Sequence, residues 1–201
     1  VGRSALGLPE QGTLMLMPQS LFKVHPQMDA LMAEVLAACP HARLVLFDLL
    51  PPFRQPFERR LRRSLSQHEV DPARLIWLTG CDRERYLQIN MACDVMLDSL
   101  HFSGGNTSLD AFQAGLPVLS SEGTFMRGRQ TAAMLRRLGL NAHGWLSEPR
   151  EWAARLPELL QPATLRATRR QVQTRLDDLF DAEPARRAWL NWIEMLCENR
   201  T

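Results

Sequence analysis

The chain has little lysine, tyrosine or cysteine and little excess charge, and each scarcity narrows what it can be. Of 201 residues, 24 are Lys or Arg and 22 are Asp or Glu, which leaves a net charge of +2. That balance does not suggest a nucleic-acid binder. Lys23 is the only lysine and Tyr86 the only tyrosine, so arginine supplies nearly all the positive charge. Cys39, Cys81, Cys93 and Cys197 lack Cys-x-x-Cys spacing and read as reduced, mostly packed thiols of a cytoplasmic protein, not as a disulfide or zinc framework. No Asp-x-Asp pair or clustered His/Asp/Glu pattern offers a metal site. No hydrophobic run is long enough to span a bilayer, and no signal peptide is present. The abrupt start at Val1-Gly2-Arg3, without a methionine, leads us to expect a portion of something longer.

What is present is an alternation. Short apolar runs at 13–17, 43–50, 74–78, 95–97 and 117–119 read as strands. Stretches at 26–38, 57–68, 83–92, 106–114 and 128–138 read as helices, with Met28, Leu31, Met32, Val35 and Leu36 sharing one face of the first. This order predicts an α/β fold: a Rossmann-like doubly wound parallel sheet with helices on both faces. From residue 148 onward the pattern is helical only, notably at 165–180 and 185–196. We expect residues 1–147 to form a nucleotide-binding lobe and residues 148–201 to supply C-terminal helices that close on it or pack beside it. Trp189, Trp192 and Leu196 recur at helical spacing and read as core. Arg59, Arg60, Arg62 and Arg63 read as a solvated face. Ligands of open parallel sheets bind beyond the carboxyl ends of the strands. Segments 19–23, 80–82, 99–105 and 120–124 each follow a strand and should gather at that edge.

The richest of these segments runs from His101 through Ser103-Gly104-Gly105-Asn106-Thr107-Ser108-Leu109-Asp110 to Ala114-Gly115-Leu116-Pro117-Val118. It joins the apolar run Asp94-Val95-Met96-Leu97-Asp98 to a helix. Strand, glycine pair and polar helix start together suit a phosphate. Glycines let the backbone approach an anion, and the free N–H groups of the helix start donate to it with help from the helix dipole. Asp110 lies one turn beyond and can take a ribose hydroxyl of the same ligand. The same residues also suit a plain strand-to-helix turn capped by Asn106 or Thr107.

Two further pieces accompany this motif: Ser20-Leu21-Phe22-Lys23-Val24 after the first strand, and Gly123 with Arg129 after the fifth. In this order and at this spacing, the set resembles the carboxy-terminal half of the catalytic region of O-linked N-acetylglucosamine transferases, family 41 of the glycosyltransferases. The likeness runs from about Leu14 to about Leu140. It implies one lobe of a two-lobed GT-B fold, the lobe that binds a UDP-sugar, with no metal cofactor. The resemblance implies that Lys23 contacts the diphosphate and stabilises the leaving nucleotide. Gly104, Gly105, Asn106 and Thr107 would present phosphate donors, Asp110 would hold the ribose, and Arg129 would add a cation. Segment 80–86 would take the base, with the Cys81 backbone reading its edge and Arg83 and Tyr86 lying against the uracil. Arg83 stands where the family often has lysine; Tyr86 and Gly105 stand where the animal enzymes have histidine. The parent enzyme would transfer a hexose or N-acetylhexosamine to a protein side chain with inversion. An amino-terminal lobe and often tetratricopeptide repeats would precede this one.

Two other classes stay open on the residues: a GT-B lobe using a GDP- or ADP-sugar, and a non-catalytic nucleotide-binding or scaffold module. Tyr86 suits simple packing as well as stacking. Lys23 suits a solvated loop as well as a phosphate. His101 precedes the glycines and is tempting as a general base, but it reads as a loop or core histidine. His25, His41, His68 and His143 have no partner pattern.

Overall fold

A computed structural model of the chain describes residues 1–48 and 50–198. Strands β1 (Thr13–Met17), β2 (Ala42–Asp48), β3 (Leu75–Thr79), β4 (Val95–Leu97) and β5 (Val118–Leu119) form one sheet in the order β3-β2-β1-β4-β5. Every neighbouring pair is parallel. Leu14, Met15, Leu16 and Met17 are all buried, which is why central β1 reads as an unbroken apolar run instead of alternating.

The helices are α1 (Gln27–Ala38), α2 (Pro51–Gln67), α3 (Arg83–Ala92), α4 (Asn106–Gln113), α5 (Gln130–Arg137), α6 (Trp152–Leu159), α7 (Pro162–Thr174), α8 (Leu176–Phe180) and α9 (Glu183–Glu198). Helix α1 packs against α2 and α6, while α3 packs against α4, which also meets α7 and α8. This is the doubly wound α/β architecture that the alternation predicts. Strand order reverses at β1, whose two neighbours are β2 and β4. At such a switch point the loops leave toward opposite faces and open a crevice at the carboxyl edge. No helix of the described residues is long and apolar enough to cross a membrane.

Several elements depart from the sequence reading. Strand β2 ends at Asp48, Leu49 lies outside the described residues, and α2 begins at Pro51 instead of residue 57. Pro51 and Pro52 take the first helical positions, where a missing N–H costs nothing. Arg60 is not purely solvated: its guanidinium pairs with the buried Asp29 and donates to the Val24 carbonyl at 3.0 Å. The helix expected over 128–138 starts at Gln130, after a short 3₁₀ turn at Met126–Gly128. The helix expected over 165–180 breaks at Arg175 into α7 and α8.

The tryptophan stripe is the largest correction. Trp189 and Trp192 are 64% and 48% exposed, and no residue of α9 is buried. Periodicity shows that a helix has an apolar face but not what covers it, and no described element covers this one. The buried tryptophans are Trp145, whose indole N–H donates to Thr168 Oγ1 at 3.0 Å, and Trp152. Leu16→Ala, in the middle of β1, is expected to lower the unfolding free energy by about 2–5 kcal/mol. Urea unfolding should show this as a lower midpoint with an unchanged slope.

Candidate functional site

The loops after β1, β3, β4 and β5 meet at one edge of the sheet. The Gln19 side-chain amide ties the first to the third, donating to Ser99 Oγ and to the Phe102 carbonyl, each at 3.1 Å. The Ser103 N–H donates to the Arg127 carbonyl at 2.8 Å, and Ser103 Oγ accepts from the Gln130 N–H at 3.0 Å, so the fourth loop closes against the third.

A cleft of about 320 Å³ opens between the β1, β3 and α4 sides, lined by Pro18, Ser20, Phe47, Cys81, Asp82, Arg83, Tyr86 and Thr107. Its size suits a nucleoside rather than a whole sugar nucleotide. The Asp82 side chain caps α3 by accepting from the Arg85 N–H at 2.8 Å, which aims Arg83 and Tyr86 at the cleft. The Tyr86 ring sits 5.7 Å from Phe47, and burial pushes its phenol up to about 12, so it stays neutral. Arg83 reaches across to Asp110, Nη2 to Oδ1 at 2.8 Å. The structure therefore brings Cys81, Arg83, Tyr86, Thr107 and Asp110 together.

Beside this cleft, α4 begins without a side-chain cap; its N-cap is Gly105, so neither Asn106 nor Thr107 plays that part. Among the described residues nothing accepts from the backbone N–H groups of Gly105, Asn106 or Thr107. Three unpaired donors at a helix start make an anion site. A Cβ at Gly104 would lie 2.3 Å from Ser108 Oγ, 2.6 Å from Thr107 Oγ1 and 3.2 Å from the Ser108 nitrogen, so a larger residue would have to displace both side chains at the helix start.

The three expected cations fare differently. Lys23 pairs with no carboxylate among the described residues; its Nζ rests 4.5 Å from the centre of the Phe102 ring, against the glycine loop. An exposed cation–π contact is worth about 0.5–1 kcal/mol, little enough for a phosphate to displace. Arg83 is committed to Asp110. Arg129 lies outside the cleft, with Nε and Nη2 both donating to Glu122 Oε1 at 3.0 and 2.7 Å. Arg136 also pairs with Glu122, and the two guanidiniums pull that carboxyl down to about 2. His101 is an exposed loop residue in left-handed conformation (φ 68°), its Nε2 2.6 Å from Gln27 Oε1. No group of three or more His, Cys, Asp or Glu side chains among the described residues is placed to hold a metal ion.

Residues 1–173 match the model of glycosyl transferase family 41. The chain belongs to that family. It is 26% identical over 144 residues to a probable UDP-N-acetylglucosamine–peptide N-acetylglucosaminyltransferase of Arabidopsis thaliana, covering 72% of this chain and 14% of the relative. A Caenorhabditis elegans UDP-N-acetylglucosamine–peptide N-acetylglucosaminyltransferase is 22% identical over 138 residues, 69% of this chain and 12% of the relative. A mutant of the Thermobaculum terrenum O-GlcNAc transferase superposes with a TM-score of 0.73 at 29% identity, over 92% of this chain and 37% of that one. Sucrose-phosphate synthase of Thermosynechococcus elongatus shares the fold at 19% identity and a TM-score of 0.67, over 98% of this chain and 48% of that one. The chain thus spans about an eighth of these curated relatives, and its fold is that of a GT-B lobe.

One buried carboxylate at this edge of the family 41 lobe was given no role by the sequence reading. Asp98, at the carboxyl end of β4, is buried and accepts from the N–H groups of Ser99 (2.9 Å) and Gly104 (2.7 Å) and from the Ser120 hydroxyl (2.6 Å). Its available signal was a carboxylate directly ending a buried apolar strand. Burial raises its pKa to about 6, partly offset by those donors. A carboxyl whose folded pKa lies above its unfolded value of about 3.9 favours the folded state most below that value. The advantage fades as pH rises through about 6, by roughly 3 kcal/mol in all. Chemical denaturation between pH 4 and 8 should show this loss, and Asp98→Asn should lack it.

Proposed function

We propose that this chain is the donor lobe of an inverting, metal-independent glycosyltransferase that moves a hexose or N-acetylhexosamine from UDP to a protein side chain. The observation that carries the reading is the position of Thr107. It lines the nucleoside-sized cleft and heads the helix whose N–H groups are unpaired. A base in the cleft therefore has its phosphates delivered to an anion site.

In this reading uracil lies against Tyr86 and Arg83, with the Cys81 backbone at its edge. The ribose meets Asp110, whose second carboxylate oxygen is left over once Arg83 has taken Oδ1. The diphosphate meets Gly105, Asn106 and Thr107. As the sugar–phosphate bond breaks, negative charge grows on the β-phosphate; the helix start and Lys23 are the groups placed to stabilise it. Arg129 joins them only by exchanging Glu122 for phosphate. The acceptor and its base would come from the rest of the longer protein, as the relatives' lengths and their peptide-transferase names support.

Calorimetric titration of this chain should show saturable UDP binding that exceeds GDP binding. Lys23→Ala should weaken it by about tenfold, the scale of a lost charged hydrogen bond. Equal or tighter GDP binding contradicts the uracil assignment, and unchanged UDP affinity in the variant contradicts the role of Lys23. The chain by itself should transfer no sugar from UDP-N-acetylglucosamine to peptide; turnover above a Lys23→Ala control would show that it needs no second lobe.

A further inference from the structure

The glycine turn that precedes α4 is gripped from two sides. From β4, Asp98 Oδ1 accepts from both the Ser99 and the Gly104 N–H, while Oδ2 accepts from the hydroxyl of Ser120 at the end of β5. From α5, the Thr131 hydroxyl donates to the Gly104 carbonyl at 3.1 Å and meets Ser108 Oγ at 2.7 Å. With its own N–H and C=O both taken, Gly104 has one orientation. The next three N–H groups are the unpaired ones.

We propose that Asp98 is the positioning residue of the diphosphate site: one buried carboxylate oxygen, by holding the Ser99 and Gly104 amides together, sets the direction of the free N–H groups of Gly105, Asn106 and Thr107. This rests on the donor-lobe reading above and deepens it. Asp98 touches no ligand in this account; it acts through the backbone. Its hydrogen-bond partners among the described residues, Ser99, Gly104 and Ser120, carry no charge, so acceptor geometry is what it supplies. An asparagine can supply the same geometry. Its Oδ1 accepts from the same two amides, and its NH₂ donates to Ser120 Oγ, whose own hydroxyl can turn to the Ser121 carbonyl, 3.3 Å away. An alanine leaves two amides without an acceptor and frees the turn.

The base and diphosphate sites share Thr107 but otherwise use different residues, so uridine engages mainly the first and UDP both. The test is to titrate wild type, Asp98→Ala and Asp98→Asn with both ligands by saturation-transfer NMR and calorimetry, with thermal unfolding as the fold control. Wild type should bind UDP more tightly than uridine. Asp98→Ala should lose about tenfold or more of UDP affinity, as expected when two amides lose their acceptor, and should keep uridine affinity within about twofold. Asp98→Asn should bring UDP back to within about threefold of wild type. General destabilisation would instead weaken both ligands alike. If Asp98→Ala does not fold, Asp98→Ser takes its place, its hydroxyl being too short to reach both amides.

Retention of the UDP advantage in the alanine or serine variant overturns the proposal while leaving the donor-lobe reading intact. Loss of that advantage in a folded Asp98→Asn overturns it too, since charge and not acceptor geometry would then govern the turn. Failure of wild type to bind either ligand removes the donor-lobe reading, and the proposal falls with it.

Discussion

Every strand of the sheet points the same way, and the site depends on that constraint. Parallel strands place all their following loops at one edge, however far apart those loops lie in the chain. The β1 loop with Lys23, the β3 loop with Cys81, the β4 loop with its glycines and the β5 loop with Glu122 are brought together by this geometry, and hydrogen bonds such as those of Gln19 and Ser103 then tie them. The apolar burial of β1 between β2 and β4 therefore holds the loop edge in place as well as stabilising the sheet. A shift in its register would carry Lys23 away from Phe102 and Gln19 away from Ser99.

In the proposed reading, the edge would receive an anion more by withholding partners than by concentrating charge. Two of the three cations expected there are already paired, Arg83 with Asp110 and Arg129 with Glu122. Lys23 rests on an aromatic ring, and the helix start has no cap. Unpaired N–H groups and an unpaired ammonium keep their full capacity for an incoming diphosphate, whereas a guanidinium already in an ion pair must exchange one partner for another. The price is paid beneath the turn, where an ionised Asp98 is held in a dry setting against its preference.

The sheet and most of its helices were legible because buried parallel strands are short apolar runs and because helices between them repeat their apolar residues at a fixed spacing. The glycine–asparagine helix start was legible for the same local reason. What escaped depended on partners distant in sequence. Asp98 and Ser120 are 22 residues apart, and Arg83 and Asp110 are 27 apart. No local pattern announces that such residues meet. Helix α2 begins at Pro51, ahead of the expected residue 57, because the proline pair suits the first helical positions. The apolar stripe of α9 was legible as a stripe but not as an exposed one, since sequence records the face and not its cover. Membership of family 41 adds what local patterns lack: the expectation that these particular loops serve one ligand.

The donor-lobe proposal requires one continuous surface, from the Tyr86 cleft to the start of α4, to receive a single nucleotide. An amide-resolved NMR titration of the chain with UDP tests it most directly. The backbone signals of Cys81, Arg83 and Tyr86 and those of Gly105, Asn106 and Thr107 should shift together along one saturation curve, while α9 stays unchanged. Shifts confined to the other side of the β5 loop, around Gln27, Glu34 and Glu148, or separate saturation curves for the two groups, would contradict it.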